Sequence, residues 1–396
     1  MLQNKVPNVR FCKYLDIWKT TKLNKITEII GGGTPDTKQF SYWNGGINWF
    51  SPTEVGKTVY LTKSEKTISQ LGLQKSSAKL LPAFKTILFT SRAGIGDVGI
   101  ITEESATNQG FQSLVVNEET DVYFLFSYSD RIKKYALKHS AGSTFLEISG
   151  KELGKMDLSI PSLPEQSAIG SLFCTLDDLL ASYKDNLTNY QSLKATMLSK
   201  MFPKAGQTVP EIRLYGFEGE WEEKEFIKIV NRVTESSDSD SLPKVEFEDI
   251  ISGQGKLNKD ISSKFDNRKG ILFKPGYTLY GKLRPYLNNW LLPKFEGVAL
   301  GDFWVFDPNG NNSDFIYYLV QSSRYQKVAN DTSGTKMPRS DWKSVSTTIF
   351  AIPQTIAEQQ AIGAYFSNLD NLINSHQEKI SQLETLKKKL LQDMFI

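Results

Sequence analysis

The chain is written twice, and that repetition limits its architecture more than any other feature. Residues 160–180, IPSLPEQSAIGSLFCTLDDLL, and 352–373, IPQTIAEQQAIGAYFSNLDNLI, share an order of residues, with one extra residue after the second Ile-Pro. From Ser162 and Thr355 onward the offset is a constant 193, as far as Met201-Phe202 and Met394-Phe395. Between Glu165 and Phe202, 15 of 38 positions are identical to their counterparts. Upstream, VPNVRF (6–11) matches VPEIRL (209–214) at an offset of 203, which also aligns Trp18 with Trp221. A third pairing joins AGSTFLEISGKELGKMDLSIP (141–161) to SGTKMPRSDWKSVSTTIFAIP (333–353). Two sequence repeats follow, roughly 6–202 and 209–396, each ending in the same kind of element.

That element reads as a long helix. Ser162-x-x-Glu165 and Thr355-x-x-Glu358 are spaced as capping boxes, in which the glutamate returns to the N-cap backbone. Pro164 falls in the first turn, where its missing N–H costs little. Apolar residues recur at three- and four-residue steps: Ile169, Phe173, Leu176, Leu180, Tyr183, Leu187 and Tyr190 in one copy. The other copy runs Ile362, Phe366, Leu369, Ile373, His376, Ile380 and Leu383. Such a narrow stripe is a coiled-coil seam, and it predicts that the helices pair with each other. About 38 residues at 1.5 Å each reach roughly 57 Å. His376 stands at the seam position of Tyr183, so it reads as a packed seam residue and not as a metal ligand.

Between these helices, residues 20–160 and 212–350 alternate short β-branched and aromatic runs with Gly/Asn/Pro/Asp punctuation, a mixed α and β pattern. Strands are expected at 47–55, 85–90, 98–102 and 111–116, then at 271–283, 288–293 and 302–307; helices at 122–139 and 314–330. ILFTSRAGIGDVGI (87–100) spells G-x-G-x-x-G through Gly94, Gly96 and Gly99. A dinucleotide site needs a helix after those glycines, so that its N-terminus meets the pyrophosphate. The residues that follow, VGIIT, are β-branched and without helical period, so the run reads as strand–turn–strand. YTLYGKLRPYLNNWLL (277–292) has the same form, and both turns carry an arginine, Arg92 and Arg284. A basic, amide-rich turn on a hairpin can present donors to base edges and phosphates.

Charge supports a polyanionic partner. Residues 1–160 carry 20 Lys/Arg against 15 Asp/Glu, and 255–345 carry 14 against 8, whereas acids gather in 211–249. Two cysteines, Cys12 and Cys174, make neither a disulfide framework nor a zinc ribbon, and a reduced, cytoplasmic setting is expected. No apolar run reaches the roughly 18–20 residues of a membrane span, and the start MLQNKVPNVRFCKYL has no signal-peptide core, so no membrane partner is expected. Enzyme signatures are missing together. There is no P-loop, no G-x-S-x-G and no metal spacing; DPNG (307–310) fails as a methyltransferase Asn/Asp-Pro-Pro-aromatic loop, and Glu222-Glu223-Lys224 reads as a solvated run.

With its IPSLPEQSAIG and IPQTIAEQQAIG openings, its two hairpins, TNQGFQSLVV (107–116) and the AGSTF and SGTKMP segments, the chain resembles the specificity (S) subunits of type I restriction–modification enzymes. The likeness runs over nearly the whole chain in the family's order. It implies an α+β fold of two mixed α/β target-recognition domains separated by two long antiparallel helices forming a coiled coil, a pseudo-two-fold tandem repeat. The expected bounds are 1–160 and 204–351 for the recognition domains, and 161–203 and 352–396 for the helices.

The resemblance further implies a non-catalytic reader of double-stranded DNA, each domain taking one half of a split, asymmetric site. The helices would set the gap and hold two modification (methyltransferase) subunits, which bring S-adenosylmethionine; restriction subunits would join that core. No cofactor, catalytic residue or metal ligand is assigned to this chain. The expected DNA contacts are Lys38, Lys57, Ser91 and Arg92 in the first domain, and Lys282, Arg284, Asn288, Asn289, Lys336 and Arg339 in the second. Alternatives are a two-headed coiled-coil scaffold for partners other than nucleic acid, and a fused nuclease or methyltransferase.

Overall fold

A computed structural model describes residues 6–92, 94–142, 146–261, 267–331 and 337–396. The chain forms two compact units, Met1–Lys184 with Lys379–Ile396, and Asp185–Glu378. Units and sequence repeats therefore differ: each unit is closed by the end of the long helix that belongs to the other repeat.

In the first unit, Lys19–Lys22 pairs antiparallel with Asp157–Ile160, and one helical turn, Leu23–Ile26, leads into Thr27–Gly31. That strand edges a five-stranded sheet ordered Thr27–Gly31, Gln112–Val116, Thr86–Phe89, Val98–Ile101 and Tyr60–Leu61, the last pair parallel. A smaller sheet sets Trp43–Phe50 between Lys66–Ile68 and, in parallel, Ser105–Thr107. The second unit repeats this plan within itself. Glu222–Glu225 pairs with Ile349–Ile352, the turn Phe226–Ile229 follows, and the sheet runs Asn231–Val233, Phe303–Asp307, Thr278–Gly281, Trp290–Leu291. Its other four-stranded sheet also holds one parallel pair, Lys244–Val245 with Gly297–Ala299.

The long helices span Leu163–Lys200 and Ile356–Asp393, 38 residues each. Within the first unit Lys184 meets Glu384 at 2.7 Å and Lys387 pairs with Asp177, so the two helices run antiparallel there. Within the second, Lys194 meets Asp370 at 2.7 Å and Tyr190 packs edge-on to His376 at 5.1 Å, again antiparallel. The apolar stripe is buried where a helix also lies on its sheet body, as at Ile169, Phe173, Ile362 and Phe366, and half-buried at Tyr183, Leu187 and Tyr190. A two-helix seam without a third layer leaves its flanks in water, which accounts for the difference.

The duplicated Glu-Gln-x-Ala-Ile-Gly motif docks each helix on its body. Glu165 does not close a capping box; Arg10 Nε and Nη2 donate to its two oxygens at 2.6 and 2.7 Å, and Trp18 Nε1 adds a longer bond of 3.4 Å. Glu358 is held likewise by Arg213, at 2.7 and 2.8 Å, and by Trp221 at 3.1 Å. Gln166 and Gln359 accept from the backbone N–H of Asp121 and Asn312, which cap the neighbouring helices. Gly170 and Gly363 let those caps approach, since a Cβ would lie 2.5 Å from Asp121 Oδ1 or 2.9 Å from Asn312 Oδ1. The helix ends close the cores. Phe395 sits among Trp18, Phe124, Tyr128 and Phe173 at 4.7–6.4 Å, and Phe202 packs on Phe315 and Phe366 at 5.7 and 6.0 Å.

Candidate nucleic-acid interface

The second unit's hairpin, Thr278–Gly281 and Trp290–Leu291, is joined by a turn with two left-handed non-glycine residues, Arg284 (φ 47°) and Asn288 (φ 54°). That conformation costs an L-residue on the order of 1 kcal/mol and persists only where the surroundings hold it. Arg284 N–H donates to Pro338 O (2.7 Å), Ser340 N–H to Lys282 O (2.8 Å), Lys282 N–H to Asp302 O (2.9 Å) and Gly253 N–H to Asn288 O (3.0 Å). So fastened, the turn leaves Arg284 and Tyr286 exposed and Asn288 half-exposed.

Arg339 joins this group through its segment's bridge to Leu283. Asp302 stands between the cations, 3.0 Å from Arg339 and 3.7 Å from Lys282, and its hydrogen bond and charge push the guanidinium pKa of Arg339 up. Asn289 corrects the expectation from sequence: it is buried, and its Nδ2 donates inward to Phe247 O at 3.1 Å. Its role is to brace the turn from inside. Lys336 lies outside the described residues.

In the first unit the glycine-rich run is a strand–turn–strand, Thr86–Phe89 to Val98–Ile101, as its pattern indicates. Thr90 organises the turn: its hydroxyl donates to Gly94 O (2.6 Å) and accepts from Asp97 N–H (2.9 Å). Gly94 and Gly96 have φ of 117° and 93°, and a Cβ on Gly96 would meet Lys133 at 2.3 Å. Lys133 pairs with Asp97 at 3.1 Å. Ser91 is fully buried, its N–H bonded to Gly110 O and its carbonyl accepting from Ile148 N–H, so it anchors the turn from inside. Arg92 is half-buried beside Glu147. Lys38 and Lys57 are exposed on separate loops, Lys57 at the rim of a recess of about 330 Å³ that Asp97 and Lys133 also line.

The common geometry is a hairpin turn fastened by the segment that precedes a long helix, through Ile148 to Ser91 in one unit and Pro338 to Arg284 in the other. Sequence reasoning missed Asp302 and Lys133, which set the charge of the two turns. Neither carries a local motif; only long-range pairing places them. Among the described residues no group of three or more His, Cys, Asp or Glu is placed to hold a metal, and no helix is long and apolar enough to cross a membrane.

Residues 16–189 and 224–385 each match the type I restriction modification DNA specificity domain. The chain belongs to that family. Over 403 residues it is 25% identical to the MjaIX type I restriction enzyme specificity subunit of Methanocaldococcus jannaschii, covering 94% of this chain and 91% of that one. Its fold is similar to a type I restriction–modification S subunit from M. genitalium, with a TM-score of 0.60, 15% identity and 99% of both chains covered. A chain solved in a study of complex assembly and conformational transition of the type I R-M system is similar at a TM-score of 0.53 and 14% identity, over 94% of this chain and 96% of that one. The family's work is DNA target recognition in restriction–modification, and this chain is of the specificity-subunit kind, with two recognition units and paired long helices. The scaffold reading is not favoured.

Proposed function

We propose that each unit reads one half of a bipartite, asymmetric DNA sequence, that the long helices set the gap between the halves, and that this chain itself performs no chemistry. The observation that carries the reading is the same fastened hairpin turn in both units with different residues on it. One turn has Arg92 with the Lys133–Asp97 pair; the other has the exposed Arg284, with Lys282 and Arg339 on either side of Asp302. A shared scaffold with unlike side chains fits two half-sites of unlike sequence, phosphate contacts giving affinity and base contacts giving identity. Lys38, Lys57, Arg92, Lys282, Arg284, Asn288, Lys336 and Arg339 are the contact candidates, while Ser91 and Asn289 shape the turns.

The helix faces left half-buried offer room for the two modification subunits, whose adenine chemistry requires a flipped base and a cofactor of their own. Restriction subunits would join that core, in the cytoplasm where the genome lies. The test is binding by the full chain copurified with its methyltransferase partners. A duplex carrying the host's methylated site should bind roughly 10³-fold or more tighter than unrelated duplex, with affinity falling as salt rises. Equal affinity for both duplexes would remove the proposal.

A further inference from the structure

In the first unit, the loop from Gly33 to Trp43 holds an aromatic ring in solvent. Phe40 is 90% exposed. A lone exposed apolar residue is ordinary; what distinguishes this one is how firmly its neighbours are held. Lys38 N–H donates to Asp36 Oδ1 (2.9 Å), Trp43 Nε1 to Asp36 O (3.2 Å), and Tyr42 N–H to Gln39 O (3.0 Å). Ser69 then bonds the loop twice, from N–H to Tyr42 O (2.9 Å) and from Oγ to Ser41 O (2.7 Å). Gly72 approaches so closely that a Cβ there would lie 2.3 Å from Tyr42 O, and Trp43 stacks edge-on to Trp49 at 5.1 Å. The loop is tied on both sides of Phe40 while the ring itself points out.

The base of the loop is tied beside the first unit's turn. Gly33 N–H donates to Thr107 O (2.9 Å) and Thr34 Oγ1 to Gln109 Oε1 (2.5 Å). On the far side of this same 107–110 segment, Gly110 O accepts from Ser91 N–H, and Ser91 precedes Arg92. Phe40 and Arg92 thus sit on neighbouring loops joined by one segment. Lys38, two residues from Phe40, is exposed for phosphate.

We propose that Phe40 is a base-contacting residue of the first unit, its ring set against the apolar surface of a DNA base in the half-site that unit reads. The inference rests on the DNA-reading function above and adds a hydrophobic determinant to its cationic ones. A ring carried on backbone that is held before binding leaves less to order on contact, and phenylalanine is a side chain that proteins press against or between base steps. The second unit lacks a counterpart at this place: residues 234–243, TESSDSDSLP, before its strand Lys244–Val245, contain no aromatic residue.

The experiment uses the full chain with its methyltransferase partners, and duplexes carrying the host site with 2-aminopurine replacing single adenines in either half. Phe40→Ala should weaken cognate binding about 10- to 100-fold. It should leave affinity for unrelated duplex and the slope of log K against log salt unchanged, with Phe40→Leu between. Base preference should relax in the first unit's half only, and the fluorescence change there on wild-type binding should vanish in Phe40→Ala. Because the ring is exposed, the unfolding midpoint should not move. Wild-type affinity and base preference in Phe40→Ala, or a loss spread equally over both halves, overturns the Phe40 assignment alone. A wild-type complex without preference for its cognate duplex overturns the DNA-reading function and this assignment with it.

Discussion

Arg10 and Glu165 stand 155 residues apart and meet through two hydrogen bonds, 2.6 and 2.7 Å, in a pocket where the carboxylate is 1% exposed. Arg213 and Glu358 repeat the contact in the second unit. Each pair pins the start of a long helix to the segment that enters the sheet body, so helix direction and recognition surface become one mechanical piece within a unit.

Removing one partner of such a pair leaves a buried charge uncompensated. Arg10→Met is therefore expected to cost about 3–5 kcal/mol of stability in the first unit. Arg10→Met combined with Glu165→Met should cost less than either single change. Denaturant unfolding of the three variants checks this; a double variant as unstable as the sum of the singles would contradict it.

Phe395, two residues past the end of the second long helix, closes the first unit's core, ringed by Trp18, Phe124, Tyr128 and Phe173. Phe395→Ala should destabilise by about 3–5 kcal/mol, like other emptied aromatic sites. Hydrogen exchange should show the loss in the first unit, with the protection of residues 222–352 unchanged.

Asp302 sets the charge at the second turn. Asp302→Asn keeps the shape and frees Lys282 and Arg339 from their shared anion. Affinity for unrelated DNA should rise several-fold, with a steeper salt dependence, because each freed cation can release a counterion on a phosphate. Discrimination at the second half-site should fall. A salt titration against random duplex measures the first effect and a base-substitution series the second.

Arg284 is exposed on a turn whose backbone is locked by Pro338, Ser340, Asp302 and Gly253. Arg284→Ala should relax base preference by about 1–3 kcal/mol at one position of one half-site. Uniform weakening on all sequences would make it a phosphate contact.

Much of this was legible in the residues. The 193-residue offset located both helices, and the structure starts them at Leu163 and Ile356. The partner of Glu165 was hidden by distance along the chain, yet the signal existed: Arg10, Trp18 and Glu165 all recur, as Arg213, Trp221 and Glu358. Local pattern failed where tertiary contacts decide. The run 271–283 splits at Gly276 (φ 84°) into two strands of different sheets, and 122–139 breaks at Tyr128, whose hydroxyl reaches Ser159 O at 2.7 Å. Ser91 and Asn289 looked like surface polar residues, and only the fastening of the turns shows them facing inward. Phe40 carries no such signal: nothing in its neighbours' sequence says which way a ring points.

The most direct test of two unlike reading units is a map of methylated adenines in the host genome, with and without this gene. The account predicts a motif of two different specified blocks separated by a fixed unspecified gap, lost when the gene is deleted. A motif that survives deletion, or a single uninterrupted palindrome, would contradict it.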